Sequence, residues 1–386
     1  MGAPVDNSNH GCMALLYSLI HILSKIEEQE HGDYEYVVFD WKHNDDKIVM
    51  LSDLLDINKN KIIYAPYVLM LDPLRRLYHI KDYLRMKEEI KRCDCIIDVT
   101  EGDSFSDIYG DRLFVGRTRI KLMVEKMGIP LILAPQTYGP FLTDNNIRLA
   151  AEAVRNAYVV MTRDMQSQEL LKQIAGVDAV YTTDLAFELP CDEYSVSDSD
   201  KIKIGINASN LLYYNYEMKD RKFSLSVDYS EYLSGLLDAI YESDKYEVYL
   251  ISHVDGDYEV HKTLKEKYPK SILVPVFKNP VEAKSCISKM DIFVGARMHG
   301  TIAAFTKGVA CIPTAYSPKF AGLFKSMGYD VLIDLAVLNT NEAIEKTKAY
   351  IEDYKNLANQ IEKCLGMNSD VIESTHRYLK NCLETL

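Results

Sequence analysis

A chain of 386 residues with 47% hydrophobic and 26% charged side chains has the composition of a soluble globular protein of two or three domains. Its formal charge of −13 argues against nucleic acid as a general partner and against adsorption to anionic lipid, because both require a basic surface. No run of about 18 apolar residues occurs, so we predict no membrane-spanning helix.

The N-terminus lacks the basic and apolar regions of a secretory signal. The eight cysteines fall mostly in apolar segments and show no paired metal-ligand spacing. We therefore expect reduced core thiols, no metal site and a cytoplasmic protein, and we leave peripheral association with the inner face of the membrane open. The sequence does not indicate the oligomeric state.

Short apolar runs alternate with amphipathic stretches along the first half of the chain. The pattern predicts strands at 34–39, 95–99, 131–135, 158–162 and 179–183, and helices near 74–92, 112–127, 144–156 and 164–175. Such alternation is typical of a parallel sheet with helices on both faces. The first residues form a glycine- and asparagine-rich turn leading into a helix, where such a domain normally has a strand. We interpret the chain as starting a few residues late, rather than as lacking that strand.

The polar, acidic stretch "PCDEYSVSDSDK" interrupts the alternation, and a second series of elements follows it. Strands are predicted at 202–207, 246–252, 271–276, 291–295 and 309–314, and the chain reads as helical from about residue 341. The predicted fold is α/β, with two doubly wound Rossmann-like domains, an interdomain cleft and a helical C-terminal tail. The domains are 1–190 and 201–340, the linker is 191–200, and the helices of 341–386 are expected to pack back across the domains.

One stretch, "DIFVGARMHGTIAAFTKGVACIPTAY" (291–316), carries most of the functional signal. An apolar strand ends at a glycine, and a helix start follows it with Arg297 and His299 two residues apart. Free backbone N–H groups, a guanidinium and an imidazole at one turn indicate a site for an acidic small molecule that requires acid catalysis. His253, which follows the strand 246–252, stands where cleft residues are expected and is a candidate for acceptor binding or for a base.

Other candidates follow earlier turns. Asn9 and Gly11 are predicted to form a backbone anion site or to bind acceptor hydroxyls, and His253 is considered with them. Glu101 and Asp103 follow the strand 95–99 and are candidates to accept a proton from a hydroxyl. The tyrosine-rich segment 210–224 is predicted to be a loop, with sugar stacking and a packed surface lid as alternatives.

The same stretch resembles the hallmark block of the polysaccharide pyruvyltransferase family. That block has an acidic strand entry, Arg-x-His, then glycine and proline before a strand, and Tyr-x-x-Lys; the matching residues are Asp291, Arg297, His299, Gly308, Pro313, Tyr316 and Lys319. "TRDMQSQELLKQIAG", with Arg163, and "APQTYGP" are similar to further family segments. The resemblance covers most of residues 9–330.

The resemblance implies a fold like that of GT-B glycosyltransferases, with acceptor binding in the first domain and donor binding in the second. It implies transfer of pyruvyl from phosphoenolpyruvate, a co-substrate rather than a cofactor, to a sugar of a surface polysaccharide. The product would be a pyruvate ketal, released with phosphate and without a metal. The residues it implies for donor binding are Arg163, Arg297, Met298, Tyr316 and Lys319, with His299 as the acid. Whether the glycan acceptor is lipid-linked stays open.

Two positions depart from the family pattern: Cys12 stands where an acid is common, and Glu101 replaces the first of two glycines. Two other functions therefore remain alternatives, a GT-B glycosyltransferase using a nucleotide sugar and a degenerate, non-catalytic subunit of a polysaccharide-synthesis assembly. For Arg163, a local ion pair with Asp164 at the start of the next helix is the structural alternative.

Overall fold

The structure, a computed structural model, describes residues 1–69, 78–214, 225–316 and 318–386. It contains two compact units. The first comprises Met1–Asn7, Leu15–Glu188 and Asp370–Leu386, and the second comprises Ser8–Ala14 and Leu189–Ser369. The turn that begins the first helix therefore belongs to the second unit.

Up to residue 188 the described helices and strands alternate. They are α1 (His10–Glu30), β1 (Tyr36–Asp40), α2 (Asp45–Leu54), β2 (Ile62–Pro66), α3 (Ile80–Arg92), β3 (Ile96–Asp98), α4 (Asp111–Lys126), β4 (Leu131–Gln136), α5 (Asp144–Asn156), β5 (Val159–Thr162), α6 (Met165–Ala175) and β6 (Val180–Tyr181). Strands β1 and β2 pair in parallel, and β3, β4, β5 and β6 form a parallel sheet in that order.

The same alternation continues from residue 202. The elements are β7 (Ile202–Asn207), α7 (Asn210–Tyr213), α8 (Tyr229–Tyr241), β8 (Tyr246–Leu250), α9 (Tyr258–Lys267), β9 (Ile272–Leu273), α10 (Pro280–Ile287), β10 (Ile292–Gly295), α11 (Met298–Thr306), β11 (Ala310–Ala315), α12 (Pro318–Ser326), β12 (Ile333–Asp334), α13 (Thr340–Glu352), α14 (Tyr354–Met367) and α15 (Ser369–Thr385). The second unit has one parallel sheet in the order β12-β11-β10-β7-β8-β9.

Burial explains why short apolar runs became strands. Every residue of β4, β10 and β11 is buried, as expected of central parallel strands covered on both faces. Helices begin where side chains satisfy free backbone donors: Asp164 accepts a hydrogen bond from the Ser167 N–H at 2.7 Å to start α6. The predicted class, doubly wound parallel sheets with a helical tail, is confirmed.

Residues 1–5 take the place of a first strand in the first unit. The Val99 N–H donates to the Met1 carbonyl (3.1 Å) beside β3, and the Val5 N–H donates to Asp40 Oδ2 (2.7 Å) at the end of β1. A doubly wound sheet has its first strand between these two strands.

Some elements differ from the prediction. Strand β2 was not predicted, because "KIIYAPYVLM" reads as one apolar run with a proline inside it, and helix α2 was not predicted either. The strand predicted at 271–276 has only two residues, since Pro275 has no N–H to continue the ladder. Helix α3 begins at Ile80, and residues 74–77 of the helix predicted at 74–92 lie outside the described residues.

Candidate functional site

The strand order of the second unit locates the first candidate site. The chain passes from β7 to β8 and β9 on one side, then crosses to β10, β11 and β12 on the other. The carboxyl ends of β7 and β10 therefore flank the point where the strand order reverses, and Asn207 and Gly295 are register partners there. Ligands of doubly wound sheets bind at such points, so the residues that follow these two strands are the candidates to contact a ligand.

Arg297 begins α11 immediately after β10 and is held on several sides. Its backbone N–H donates to Asn207 Oδ1 at 3.0 Å. Its guanidinium donates to both oxygens of Asp257, from Nε at 2.9 Å and from Nη2 at 2.6 Å, and Nη2 also donates to Asn210 Oδ1 at 3.0 Å. The Asp257 side chain is fully buried, and that of Arg297 is 16% exposed.

The bidentate ion pair with Asp257 reduces the net positive charge that Arg297 presents to a ligand. Burial lowers the pKa of the guanidinium, but the hydrogen bonds and charge of Asp257 outweigh that effect, so the net shift of the Arg297 pKa is upward. Arg297 is thus a fixed cation whose charge is largely compensated. Within the described part of the chain, no hydrogen bond occupies its Nη1, so Nη1 is the group left to donate to a ligand.

His299 lies in the first turn of α11 and packs against the N-terminal turn of the chain. A Cβ atom on Gly11 would lie 2.4 Å from His299 Nδ1 and 2.7 Å from its Cγ. Only glycine fits at position 11 with the imidazole in this place. The Asn9 side chain accepts a hydrogen bond from the Gly11 N–H at 3.0 Å, which shapes the turn that starts α1.

The same turn is hydrogen-bonded to the loop that follows β8. The His10 N–H donates to the His253 carbonyl at 3.2 Å, and the Asp255 N–H donates to the Ser8 carbonyl at 2.8 Å. The rings of His10 and His253 meet edge to face with centroids 6.0 Å apart. Asn9, Gly11, His253 and His299, predicted from distant parts of the sequence, therefore lie together in the second unit.

His253 is a buried, neutral imidazole. Its pKa is lowered well below 6.5, first by burial and then by the nearby His10, His299 and Arg297. The Cδ2 atom lies 3.5 Å from where a Cβ on Gly300 would stand, which places the ring beside the residue after His299. The lowered pKa keeps His253 neutral near pH 7, where it can accept a proton, and also makes it a weaker base than an exposed imidazole.

Sequence reasoning missed the residues that support this arrangement. Asp257 and Asn210 hold the Arg297 side chain, and Asn207 holds its backbone. His261 is fully buried, accepts from the Ala208 N–H at 3.0 Å and bonds Ser252 Oγ at 2.8 Å; burial lowers its pKa to about 4. Their position was the signal available in the sequence: Asn207 ends β7 and Asn210 follows it. Asp257 and His261 follow β8.

The remaining donor candidates of the second unit lie in α11 or follow β11. Met298 is its first residue and is half-buried. Tyr316 follows β11 and is half-buried. Burial lowers the pKa of Arg297, Asp257 raises it, and Tyr316 adds a smaller upward effect. Lys319 lies in α12, and its side chain falls outside what the structure describes. Of the segment 210–224, residues 215–224 are outside the described residues as well.

Arg163 lies in the first unit and is almost completely buried, with 1% of the residue exposed. Its Nη1 pairs with Asp184 Oδ2 at 2.5 Å, and its Nε donates to Thr137 Oγ1 at 2.9 Å. Gly102 leaves room for the guanidinium, because a Cβ there would lie 2.9 Å from Nη1. Asp164 caps α6, and Arg163 forms its ion pair with Asp184.

Glu101 and Asp103 follow β3 in the first unit and are both engaged. Glu101 accepts from Arg117 Nη2 at 2.7 Å and from Ser104 Oγ at 3.1 Å. Asp103 accepts from the Tyr109 hydroxyl at 2.5 Å. These two carboxylates and the histidines of the second unit thus belong to different units of the fold.

Among the residues that the structure describes, no group of three or more His, Cys, Asp or Glu side chains could hold a metal ion. Within the same ranges, none of the helices has the length and apolar character needed to cross a bilayer.

A sequence model of the polysaccharide pyruvyl transferase family matches residues 9–318. The chain belongs to this family. The match includes both the Asn9–Gly11 turn and the Arg297–His299 turn, so the family segment spans the residues that the second unit brings together. Membership identifies the protein as a transferase of polysaccharide pyruvylation. A search of curated proteins finds no match.

Solved structures with the same architecture support the fold. UDP-GlcNAc 2-epimerase from Neisseria meningitidis, bound to UDP-GlcNAc, has a TM-score of 0.59 at 12% identity, with 95% of this chain and 96% of that chain covered. Anabaena HepE, in complex with UDP and glucose, has a TM-score of 0.57 at 12% identity, with 99% and 98% covered. Staphylococcus aureus MnaA, solved with UDP, has a TM-score of 0.58 at 12% identity, with 90% and 88% covered. The pyruvyl transferase family member described here therefore has a GT-B-like fold.

Proposed function

We propose that the protein transfers pyruvyl from phosphoenolpyruvate to a sugar of a surface polysaccharide or its precursor, forming a pyruvate ketal and releasing phosphate. The observation that carries the proposal is the turn Arg297–His299 of a pyruvyl transferase family member, seated where the strand order reverses. Metal and cofactor play no part in the proposed chemistry.

Donor binding would use the first turn of α11. Phosphoenolpyruvate carries a phosphate and a carboxylate, and the start of a helix supplies unpaired N–H donors and a positive dipole end. Arg297 Nη1 adds a charged donor at that turn. Because Asp257 compensates Arg297, a doubly negative donor needs a further cation, and we assign that role to Lys319.

The chemistry would begin with His299. Its imidazolium protonates the methylene carbon of phosphoenolpyruvate, and a sugar hydroxyl attacks the adjacent carbon as the carbon–carbon double bond is lost. His253, buried and neutral beside Gly300, is a base able to accept the hydroxyl proton. Cleavage of the carbon–oxygen bond to phosphate and attack by a second hydroxyl then close the ketal.

The atoms and protons of the proposed reaction balance. One proton ends on the new methyl group and one on the departing phosphate, and both come from the two sugar hydroxyls. No oxidant or reductant is needed. The protein's tasks are to bind an anion, orient two hydroxyls and move protons, which histidines and a helix start can perform.

The test is direct incubation of the protein with phosphoenolpyruvate and candidate oligosaccharide acceptors containing galactose or mannose. We expect phosphate release that depends on both substrates, together with the mass gain of a pyruvate ketal on the acceptor. A nucleotide-sugar transferase would instead transfer a glycosyl group and be stabilised against heat by a nucleotide sugar but not by phosphoenolpyruvate. A non-catalytic subunit would release no phosphate with any acceptor. Either result would overturn the proposal.

A further inference from the structure

Asn207, the last residue of β7, is hydrogen-bonded to the chain segments that leave both neighbouring strands. Its Nδ2 donates to the Ile251 carbonyl at 2.8 Å, one residue past the end of β8. Its Oδ1 accepts from the Arg297 N–H at 3.0 Å, two residues past the end of β10. The residue is almost completely buried, so its amide group acts as one further peptide unit between the two segments.

The backbone hydrogen bonds of the sheet end just before this amide. The Ile251 N–H donates to the Ile206 carbonyl at 2.9 Å, and the Ala296 N–H donates to the Asn207 carbonyl at 3.0 Å. The next bond on each side is made by the Asn207 side chain. The side chain therefore extends the order of the sheet into the segments that follow its strands.

The two partners of Asn207 require opposite hydrogen-bonding groups. Ile251 presents a carbonyl, which only accepts, and Arg297 presents an N–H, which only donates. A side-chain amide satisfies both, and in one orientation only. An ionised aspartate would satisfy the N–H alone, and a leucine, branched at the same carbon, would satisfy neither.

The segments that Asn207 joins carry the two histidines of the candidate site. His253 follows Ile251 by two residues, and His299 follows Arg297 by two residues. Because successive Cα atoms are only about 3.8 Å apart, each imidazole is a short distance along the chain from a backbone group that Asn207 holds. A change at this amide is therefore transmitted to both rings.

The Arg297 guanidinium is held by other residues. Asp257 and Asn210 bind it at the far end of the side chain, whereas Asn207 binds only the backbone of Arg297. Replacing the Asn207 amide does not remove the contacts of the guanidinium. The charge available to an acidic donor and the placement of the histidines thus depend on different residues.

We propose that Asn207 is a positioning residue that sets the distance between His253 and His299. One amide fixes both segments, so neither histidine can shift without disturbing it. The roles of these histidines as base and acid rest on the proposed function, whereas the joining of the two segments rests on the hydrogen bonds of Asn207 alone.

Asn207→Leu removes both hydrogen bonds and keeps a side chain of similar shape. We expect kcat for phosphoenolpyruvate-dependent phosphate release to fall by about 10²-fold, as for a misplacement of about 1 Å in a catalytic group. The KM for phosphoenolpyruvate should change by less than about threefold, because the guanidinium keeps its contacts. A kcat within about twofold of the parent, or a KM that rises as much as kcat falls, would overturn the inference.

Asn146→Leu is the matched control for lost stability. Asn146 is also completely buried, and its Nδ2 donates to Asp107 at 2.8 Å and to Asp111 at 2.7 Å, but it lies in the first unit. Thermal unfolding should show a lower Tm for both variants, whereas kcat per folded molecule should fall only for Asn207→Leu. An equal loss of kcat in the two variants would reduce the role of Asn207 to stability and refute positioning.

Hydrogen exchange tests the joining of the segments without any turnover. In Asn207→Leu, amide exchange in residues 251–253 and 297–299 should be at least about tenfold faster than in the parent. In Asn207→Asp, a milder change, the ionised carboxylate keeps the bond to Arg297 and loses the one to Ile251, so only residues 251–253 should exchange faster. Parent-like exchange in either variant would contradict the inference.

The two proposals fail differently. If the parent releases no phosphate with any acceptor, the proposed function fails, and hydrogen exchange alone decides whether Asn207 joins the two segments. If the parent is active and Asn207→Leu is equally active, the proposed function stands and the positioning role fails.

Discussion

Substitution of Gly11 by alanine tests the site with the smallest possible change. The added methyl group would lie 2.4 Å from His299 Nδ1, whereas ordinary contact begins at about 3.5 Å, so the imidazole or the turn must move by about 1 Å. A misplacement of that size in a catalytic group can cost about 10²-fold in rate. We therefore expect Gly11→Ala to lower kcat for phosphate release by about 10²-fold.

The effect on stability should be smaller than the effect on catalysis. Overpacking costs about 1–3 kcal/mol, and replacing glycine by alanine inside a helix returns about 0.5–1 kcal/mol. The variant is thus expected to remain folded, with a free energy of unfolding reduced by no more than about 2 kcal/mol.

Gly366 provides the matched control for this substitution. It also lies within a helix, α14, but a Cβ there would meet no atom within 4 Å. Gly366→Ala should leave kcat unchanged and stabilise the protein slightly. The assay is phosphoenolpyruvate-dependent phosphate release beside thermal unfolding of both variants. A Gly11→Ala enzyme with kcat within about twofold of the parent would refute the reasoning, because the position of His299 would then not matter.

Three further predictions concern single residues of the second unit. His299→Ala should leave thermal unfolding unchanged and lower kcat by about 10²–10⁴-fold, as expected for loss of a general acid; near-normal phosphate release would contradict that role. Asp257→Asn should lower the free energy of unfolding by about 3–5 kcal/mol in denaturant titration, because the buried charge of Arg297 loses its partner. Adding Arg297→Gln should recover part of this loss, and an unchanged single variant would show that the pair is not buried. His261 has a pKa of about 4 in the folded state against about 6.5 when unfolded, so the unfolded chain binds more protons between these values and acid favours unfolding. Lowering the pH from 7 to 5 should therefore cost about 2 kcal/mol through His261 alone, and equal pH dependence of His261→Gln and the parent would exclude it as the cause.

The sequence predicted those parts of the fold that depend on local pattern. Strands β7, β10 and β11 are short, largely apolar segments, and this pattern located them to within a residue or two. Strand β2 was missed because its apolar run continues past Pro66 into further apolar residues, which hides its end. The division of the first unit into a two-stranded and a four-stranded sheet depends on where residues 1–5 lie, which no local pattern records.

The candidate site was predictable only in part, for a physical reason. Arg297 and His299 stand at a strand-to-helix turn, a position visible in the sequence. Asp257, which compensates Arg297, comes from a turn 40 residues earlier, and only the sheet order brings the two together. The pairing of Arg163 with Asp184 likewise spans 21 residues, so a cation predicted to meet the donor has a second, structural partner.

Because residues 8–14 belong to the second unit, that unit is not continuous in sequence and cannot be produced whole as a single continuous fragment without the first unit. A recombinant fragment running from Leu189 to Ser369 is continuous in sequence yet omits the turn that carries Asn9 and Gly11. Such a fragment would expose the imidazole of His299 on the side that Gly11 covers, and would leave the His253 and Asp255 backbone without their partners. Supplying the missing turn as a separate peptide, or by circular permutation, would be needed to reconstitute the second unit on its own.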